Sequence, residues 1–478
     1  MGRHHTPGLP RGQRGGRVRR MEITTTGLTL ARAAADLANG RYTARALVEA
    51  CLARIGDPAG EGKRTFIRTY AEQARSSADA MDLLRRAGRA PGPYAGIPIS
   101  LKDLLDVRGE VTAAGSAVLS DAAPAEAHAP VVQRMLAAGF VPVGRTNMTE
   151  FAFSGIGINP HHGTPRAPWD RLADGTGGRV PGGSSSGAAV SVADGMAIVA
   201  LGTDTGGSCR IPAAFCGITG YKPTARRVPL DGAVPLSPTL DSIGPLANSV
   251  ACCAAVDAIL AGEAPRPVAP MDLRAMRLAV PGNLVMDGVD PVVAEVFGRA
   301  LNRLASLGVR VTHLPFPVFK QVLDANAGGG FAATEAHAWH RALLARGAAR
   351  YDQRVRVRIE RGGSMTAAEL LALQAARTRL IAAMDEATAP FDAVAMPTSP
   401  IVPPLIADLA DNDAFTHANA LVLRNPALAN FLNRCSISLP AHRPGEPPVG
   451  LMLVGETGGD ARLFGIAAAV EAALRDGA

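Results

Sequence analysis

Apolar residues recur at helical spacing between residues 29 and 56. Leu47, Val48, Cys51, Leu52 and Ile55 share one face of a segment that Thr43 is placed to cap, and the helix before it closes at Asn39-Gly40. Such a face predicts core packing. From Tyr94 the pattern changes to short apolar runs broken by Gly and Pro. GIPISL (96–101) and FVPVG (140–144) read as strands, with a helix-like APVVQRMLAAG (129–139) between them. A loop rich in Gly, Pro and His (155–183) leads into GGSSSGAAVSVADG, a helix start with Gly195 as its C′ residue. The strand MAIVALG, the turn TDTGGS and IPAAF follow. After a Pro-rich stretch (223–245), AVPG, VRVTHL and FDAVAMP again read as strands between helices. This alternation predicts an α/β fold with a mostly parallel or mixed central sheet covered by helices on both faces. Neither an internal repeat nor a low-complexity linker divides the chain, which predicts one large domain over 21–478 with its catalytic core at about 90–250.

Composition narrows the class. The 478 residues are 47% hydrophobic and 19% charged, which excludes disorder, collagen and a disulfide-rich scaffold. A spanning helix needs roughly 18 to 20 unbroken apolar residues, but VACCAAV stops at Asp257 and FGIAAAV at Glu471. The chain reads as soluble, with no membrane partner. Its net charge of +7 suggests nucleic acid until the charge is located: Met1 to Arg20 holds six Arg and no acid, leaving the other 458 residues at +1. This head has no aromatic residue to stack a base and precedes Met21, an alternative start, so residues 1–20 read as a disordered basic leader and no nucleic-acid partner is expected. Arg19-Arg20 opens no twin-arginine signal, because MEITTTGLTL supplies neither an apolar core nor a cleavage site.

The six cysteines lack zinc spacing and framework density, and so predict reduced, buried thiols in a cytoplasmic protein. Of 49 basic residues only Lys63, Lys102, Lys222 and Lys320 are lysine. Lys, unlike Arg, can lose its proton when buried. Lys102 ends an apolar strand, where desolvation would lower its pKa; its structural alternative is an ion pair with Asp103 or Asp106. Ser184, Ser185 and Ser186 stand at a glycine-rich helix start, which is either a plain cap or a place where backbone N–H groups meet an anion. Thr203-Asp204-Thr205-Gly206-Gly207-Ser208 is a strand end meeting a tight turn, either structural or an oxyanion hole carrying its own nucleophile.

Together, Lys102, the Ser184 cluster and a GGS whose serine lies 24 residues beyond Ser184 resemble the amidase signature family. The text around them agrees: GIPISLKDLLDVRG, VGRTNMTEFAFS, PGGSSSGAAVSVADG and ALGTDTGGSCRIPAAFCGITGYKPT, then FDAVAMPTSP and PPVGLMLVG downstream. Arg145 stands where that family is expected to carry Lys. The resemblance implies the amidase signature fold and a Ser-Ser-Lys triad. Ser208 would be the nucleophile, Ser184 the bridge on a cis peptide and Lys102 the base. Backbone N–H groups around Thr205, Gly206, Gly207 and Ser208 would hold the oxyanion, with Ser185 orienting the bridge. Asp204 and Arg210 would brace the loop, Arg210 alternatively attracting an acidic substrate. The acyl pocket would involve Phe151, Phe153 and Ser154. The implied reaction cleaves a small carboxylic amide to a carboxylate and ammonia or an amine through an acyl-enzyme, with no metal or cofactor, in a chain acting alone or as a homodimer.

Other readings compete. Gly183-Ser184-Ser185-Ser186-Gly187 also satisfies G-x-S-x-G, which would make Ser185 the nucleophile of an α/β-hydrolase served by one of His313, His337, His340, His417 or His442. The A subunit of a glutamyl-tRNA amidotransferase carries similar motifs but works within a complex. A catalytically dead binding protein is disfavoured because all three catalytic positions are filled. Cys209 reads as packing rather than as a thiol nucleophile, and His161 and His162 lack a clear carboxylate or thiol partner for a metal.

Overall fold

The computed structural model describes residues 1–2, 23–171 and 177–475. The proposed leader falls outside these except for its first two residues. Eleven strands form one sheet: β1 (Phe66–Thr69), β2 (Pro98–Lys102), β3 (Val141–Thr146), β4 (Val199–Thr203), β5 (Thr219–Lys222), β6 (Ile243–Ala247), β7 (Arg277–Pro281), β8 (Arg310–Leu314), β9 (Ala393–Pro397), β10 (Ser436–Pro440) and β11 (Gly450–Val454). Their order is β1-β3-β2-β4-β6-β5-β10-β11-β9-β7-β8. Six neighbouring pairs are antiparallel and four parallel, so the sheet is mixed rather than mostly parallel. The parallel pairs are β3-β2-β4 and β9-β7-β8, where helices intervene in sequence and supply the crossovers.

The helix pair before the sheet has the expected ends. Thr43 accepts the Ala46 amide at 3.0 Å to start Ala44–Gly56, and Asn39 closes Leu30–Ala38. IPAAF, between the GGS turn and the next strand, is helical within Arg210–Cys216. No helix among the described residues is long and apolar enough to cross a membrane.

The inner strands β2, β4, β6, β9 and β11 are buried along their whole length, which explains their continuous apolar runs. Alternation divides their side chains between two layers. Val199, Leu201 and Ala247 join the core that includes Val250, Cys253 and Val256 of the helix Val250–Ala261. Ala200 and Leu246 pack on the other face with Ala188 and Ala189 of Ser186–Ala193 and Ala213 of Arg210–Cys216. In β2 the same alternation puts Ile99 and Leu101 in the first layer. Ser100, one position on, meets Ser191 of the helix Ser186–Ala193 at 2.8 Å between hydroxyls. Lys102 follows Ser100 at the strand period, so it is carried toward the start of that helix, where Ser184 stands.

Candidate active site

Three chain segments converge at the ends of β2 and β4. Lys102, wholly buried at the last position of β2, donates from Nζ to Ser184 Oγ at 2.7 Å and to Thr203 Oγ1 at 2.8 Å. The expected alternative ion pairs do not form. Asp103 binds the Arg145 guanidinium at 2.7 Å, and Asp106 accepts the Thr112 hydroxyl at 2.6 Å. Burial without a contacting carboxylate pushes the Lys102 ammonium down to about 7. Lys222, the other buried lysine, instead donates to the Pro223 carbonyl at 2.6 Å.

Ser184 follows a cis Gly183-Ser184 peptide, and its carbonyl accepts the Thr149 amide at 3.1 Å. Ser185 fastens two segments: its hydroxyl donates to the Thr203 carbonyl at 3.2 Å, and its amide donates to the Ser208 carbonyl at 3.3 Å. Its Oγ lies where a Cβ on Gly202 would come within 2.8 Å, so the glycine makes room for the serine. Ser185 is wholly buried, and among the described residues no histidine is hydrogen-bonded to it, so the G-x-S-x-G arrangement is not assembled. Ser184 and Ser208 are not hydrogen-bonded to each other through their hydroxyls.

The turn after β4 is built around a buried carboxylate. Asp204 accepts the amides of Gly207 at 2.8 Å and Cys209 at 3.0 Å, Arg210 through Nε and Nη2, and the Asn430 amide group at 3.0 Å. Burial alone would raise its pKa, but the Arg210 guanidinium and these hydrogen bonds outweigh it and hold Asp204 below the usual carboxylate range. Two expectations change here. The Gly207 amide is committed to Asp204 and is not free to meet an oxyanion; the amides of Thr205, Gly206 and Ser208 make no hydrogen bond among the described residues. At Gly207 φ is +131°, and a Cβ would come within 2.6 Å of Ile211, so glycine shapes the turn instead. Arg210 is wholly buried on Asp204, Asn430 and the Pro426 carbonyl, out of reach of a substrate. Cys209, also buried, points its thiol at the Gly244 carbonyl, and burial pushes its pKa up.

Ser208, Thr205 and Gly206 line a cavity of about 270 Å³ together with Phe153 and Ser154. The Ser154 hydroxyl donates to Asn419 Oδ1 at 2.9 Å. Phe151 does not line the cavity; it packs edge-on against His340 with ring centroids 4.3 Å apart. Three functional candidates escaped the sequence reading, Asp241, Asn430 and Arg358, and Thr203 was read as part of the turn without a role of its own. Asp241 accepts the Thr205 hydroxyl and the Leu236 and Ser237 amides at 3.0 Å, and burial pushes its carboxyl up to about 6. Arg358, on the helix Gln353–Arg361, lines the cavity with its guanidinium 4.9 Å from the Phe153 ring centroid. The guanidinium makes no hydrogen bond or ion pair among the described residues, and burial pushes its pKa down to about 10, still charged at neutral pH. The segment QRVRVRIER gives no signal that would separate this arginine from its neighbours. His161 does have a carboxylate partner, contrary to expectation: its Nε2 lies 2.9 Å from Glu150 Oε1, which also accepts the Ser116 hydroxyl. Among the described residues no group of three or more His, Cys, Asp and Glu is placed to hold a metal ion.

The family model described as Amidase matches residues 46–464. The chain is 37% identical to a 2-amino-5-chloromuconic acid deaminase of Comamonas testosteroni, covering 94% of this chain and 97% of that one. It is 34% identical to the A subunit of a glutamyl-tRNA(Gln) amidotransferase from Chloroflexus aggregans, covering 91% and 94%. A crystal structure of an amidase superposes with a TM-score of 0.83 at 31% identity, covering 93% and 99%. Match and fold agree along nearly the whole chain, which therefore belongs to the amidase family, the amidase-signature hydrolases of C–N amide bonds.

Proposed function

We propose that the protein hydrolyses an amide whose acyl part carries a carboxylate, by acyl transfer to Ser208 with Ser184 and Lys102 as the proton relay. The observation that carries this reading is the wholly buried Lys102 with two hydroxyl partners and no carboxylate. Lys222 is also buried without an acid but meets only a backbone carbonyl, whereas Lys102 contacts a serine hydroxyl through which a proton can pass, and a lysine held near neutrality can accept one. Ser208 turns its hydroxyl toward Ser184 as it attacks. Its proton passes to Ser184 Oγ, whose own proton passes to Lys102 Nζ, while Oγ of Ser208 bonds the carbonyl carbon. The amides of Thr205, Gly206 and Ser208 supply the donors for the oxyanion. Collapse breaks the C–N bond, and the relay returns its proton to the leaving nitrogen. Water then cleaves the ester, releasing the acid and restoring Ser208.

Arg358 supports the acidic acyl part: it lines the cavity with Ser208 and has no anionic partner of its own, and a guanidinium holds a carboxylate through two parallel hydrogen bonds. One of the similar proteins is named for an acid. The six cysteines are all unpaired and buried, which supports a reducing cytoplasm as its place. The amidotransferase relatives favour a second reading, a glutaminase component of a complex, since glutamine too is an amide bearing a carboxylate. Ammonia release by the purified chain from a panel of dicarboxylic monoamides tests the proposal; release from glutamine alone, and only with a partner complex, favours the second reading.

A further inference from the structure

A second cavity, of about 450 Å³, adjoins the one that holds Ser208, and the two share Ala152, Thr205 and Leu236 as walls. Its walls include two buried polar residues, Thr203, a hydroxyl partner of Lys102, and Asp241, the partner of Thr205; neither residue lines the Ser208 cavity. Its sides are apolar and come largely from the Pro-rich stretch, with Leu104, Val228, Leu230 and Val234 among them. Both oxygens of the Asp241 carboxylate already accept hydrogen bonds, one from Thr205 and the other from two backbone amides, and the remaining charged wall residues, Arg226 and Asp231, are exposed to solvent.

Resting on the acyl transfer proposed above, we infer that this second cavity receives the leaving amine and that the protein cleaves amides whose nitrogen bears an apolar alkyl or aryl substituent. The acyl carbon is bonded to Ser208 and lies in the first cavity with Arg358. The nitrogen must face the relay of Ser184 and Lys102 that protonates it, and Thr203, the second hydroxyl partner of Lys102 beside Ser184, opens onto the second cavity. Departing ammonia needs little more than the roughly 30 Å³ share of one water molecule. A chamber many times that size, with apolar sides and its single buried acid already bonded, fits a hydrocarbon group on nitrogen.

The test begins with the monoamides of malonic, succinic and glutaric acids, and takes the one cleaved fastest together with the anilide of the same acid. The expected result is an anilide kcat/KM within about tenfold of the primary amide. Leu230→Trp, which fills the second cavity, should lower the anilide value at least about tenfold and leave the primary amide within about twofold; Leu230→Ala, which widens it, should not. Wild-type protein that cleaves the primary amide but not the anilide overturns the inference. Equal losses on both substrates in Leu230→Trp, with Leu230→Ala unchanged, overturn it too. Hydrolysis that survives Ser208→Ala overturns the acyl-transfer reading itself, a separate outcome.

Discussion

Thr203 Oγ1 accepts a hydrogen bond from Lys102 Nζ at 2.8 Å, so the ammonium group is held by two hydroxyls and by no acid. The bond stabilises the charged form of the lysine and opposes the desolvation that lowers its pKa to about 7. In the proposed mechanism neutral Lys102 is the active form, so kcat/KM of the wild type rises with pH through about 7. Thr203→Val removes the acceptor without changing shape, which lowers the pKa further. The midpoint of the acid limb should move down by about one unit, the worth of a hydrogen bond to a charged group. A midpoint that stays or rises in the pH–rate profile contradicts the relay.

Lys102→Arg separates charge from basicity. Arginine keeps the positive field but has almost no free base at neutral pH. Lys102→Arg and Lys102→Ala should be similarly impaired, by roughly 10²- to 10⁴-fold in kcat/KM. If Lys102→Arg kept more than about a tenth of the wild-type value, only about 1.4 kcal/mol would have been lost and proton transfer through Lys102 would be refuted.

Ser208→Ala should abolish hydrolysis and leave the unfolding transition unchanged, since the side chain makes no hydrogen bond that the fold depends on. A serine-directed fluorophosphonate should label Ser208, located by mass spectrometry of the digest. Label on Ser185 would restore the α/β-hydrolase reading.

Arg358→Met keeps much of the contact with Phe153 and removes the charge. For a dicarboxylic monoamide kcat/KM should fall at least about thirtyfold, the roughly 2 kcal/mol or more that follows truncation of one partner in a buried charged pair. A neutral amide of the same length should change by less than about threefold. Equal losses on the two would assign Arg358 to packing.

Asp204→Ala leaves Arg210 charged, buried and unpaired, and removes the acceptor for the Gly207 and Cys209 amides. Urea unfolding should show a loss of about 3–5 kcal/mol, and a loss below about 1 kcal/mol would show that the turn stands without this carboxylate. Because the folded pKa of Asp204 is depressed, its contribution is present above the unfolded value near 4 and is lost as pH falls toward the lower folded value.

What was legible in the sequence is what local chemistry fixes. The Thr43 cap, the Asn39-Gly40 stop, Gly195 beyond its helix and the apolar runs of β2, β3, β4, β7, β8 and β9 are each decided within a few residues. So was the presence of a lysine at a strand end, a serine cluster and a GGS turn, and the motifs around them carried the family. The tertiary structure alone decided the direction of pairing across the sheet, because a buried strand reads the same whether its neighbours run parallel or antiparallel. It also decided partners distant in sequence. Thr203 reaches Lys102 from 101 positions away, and Asn430 reaches Asp204 from 226. Arg210 was expected either to brace the loop or to attract acids, and burial settles it on Asp204. The Gly207 amide was expected to face an oxyanion, but the direction of an N–H follows from backbone angles that the string GGS does not specify. Arg358 enters the cavity because its helix packs there, and charge spacing along that helix carries no record of which arginine faces inward.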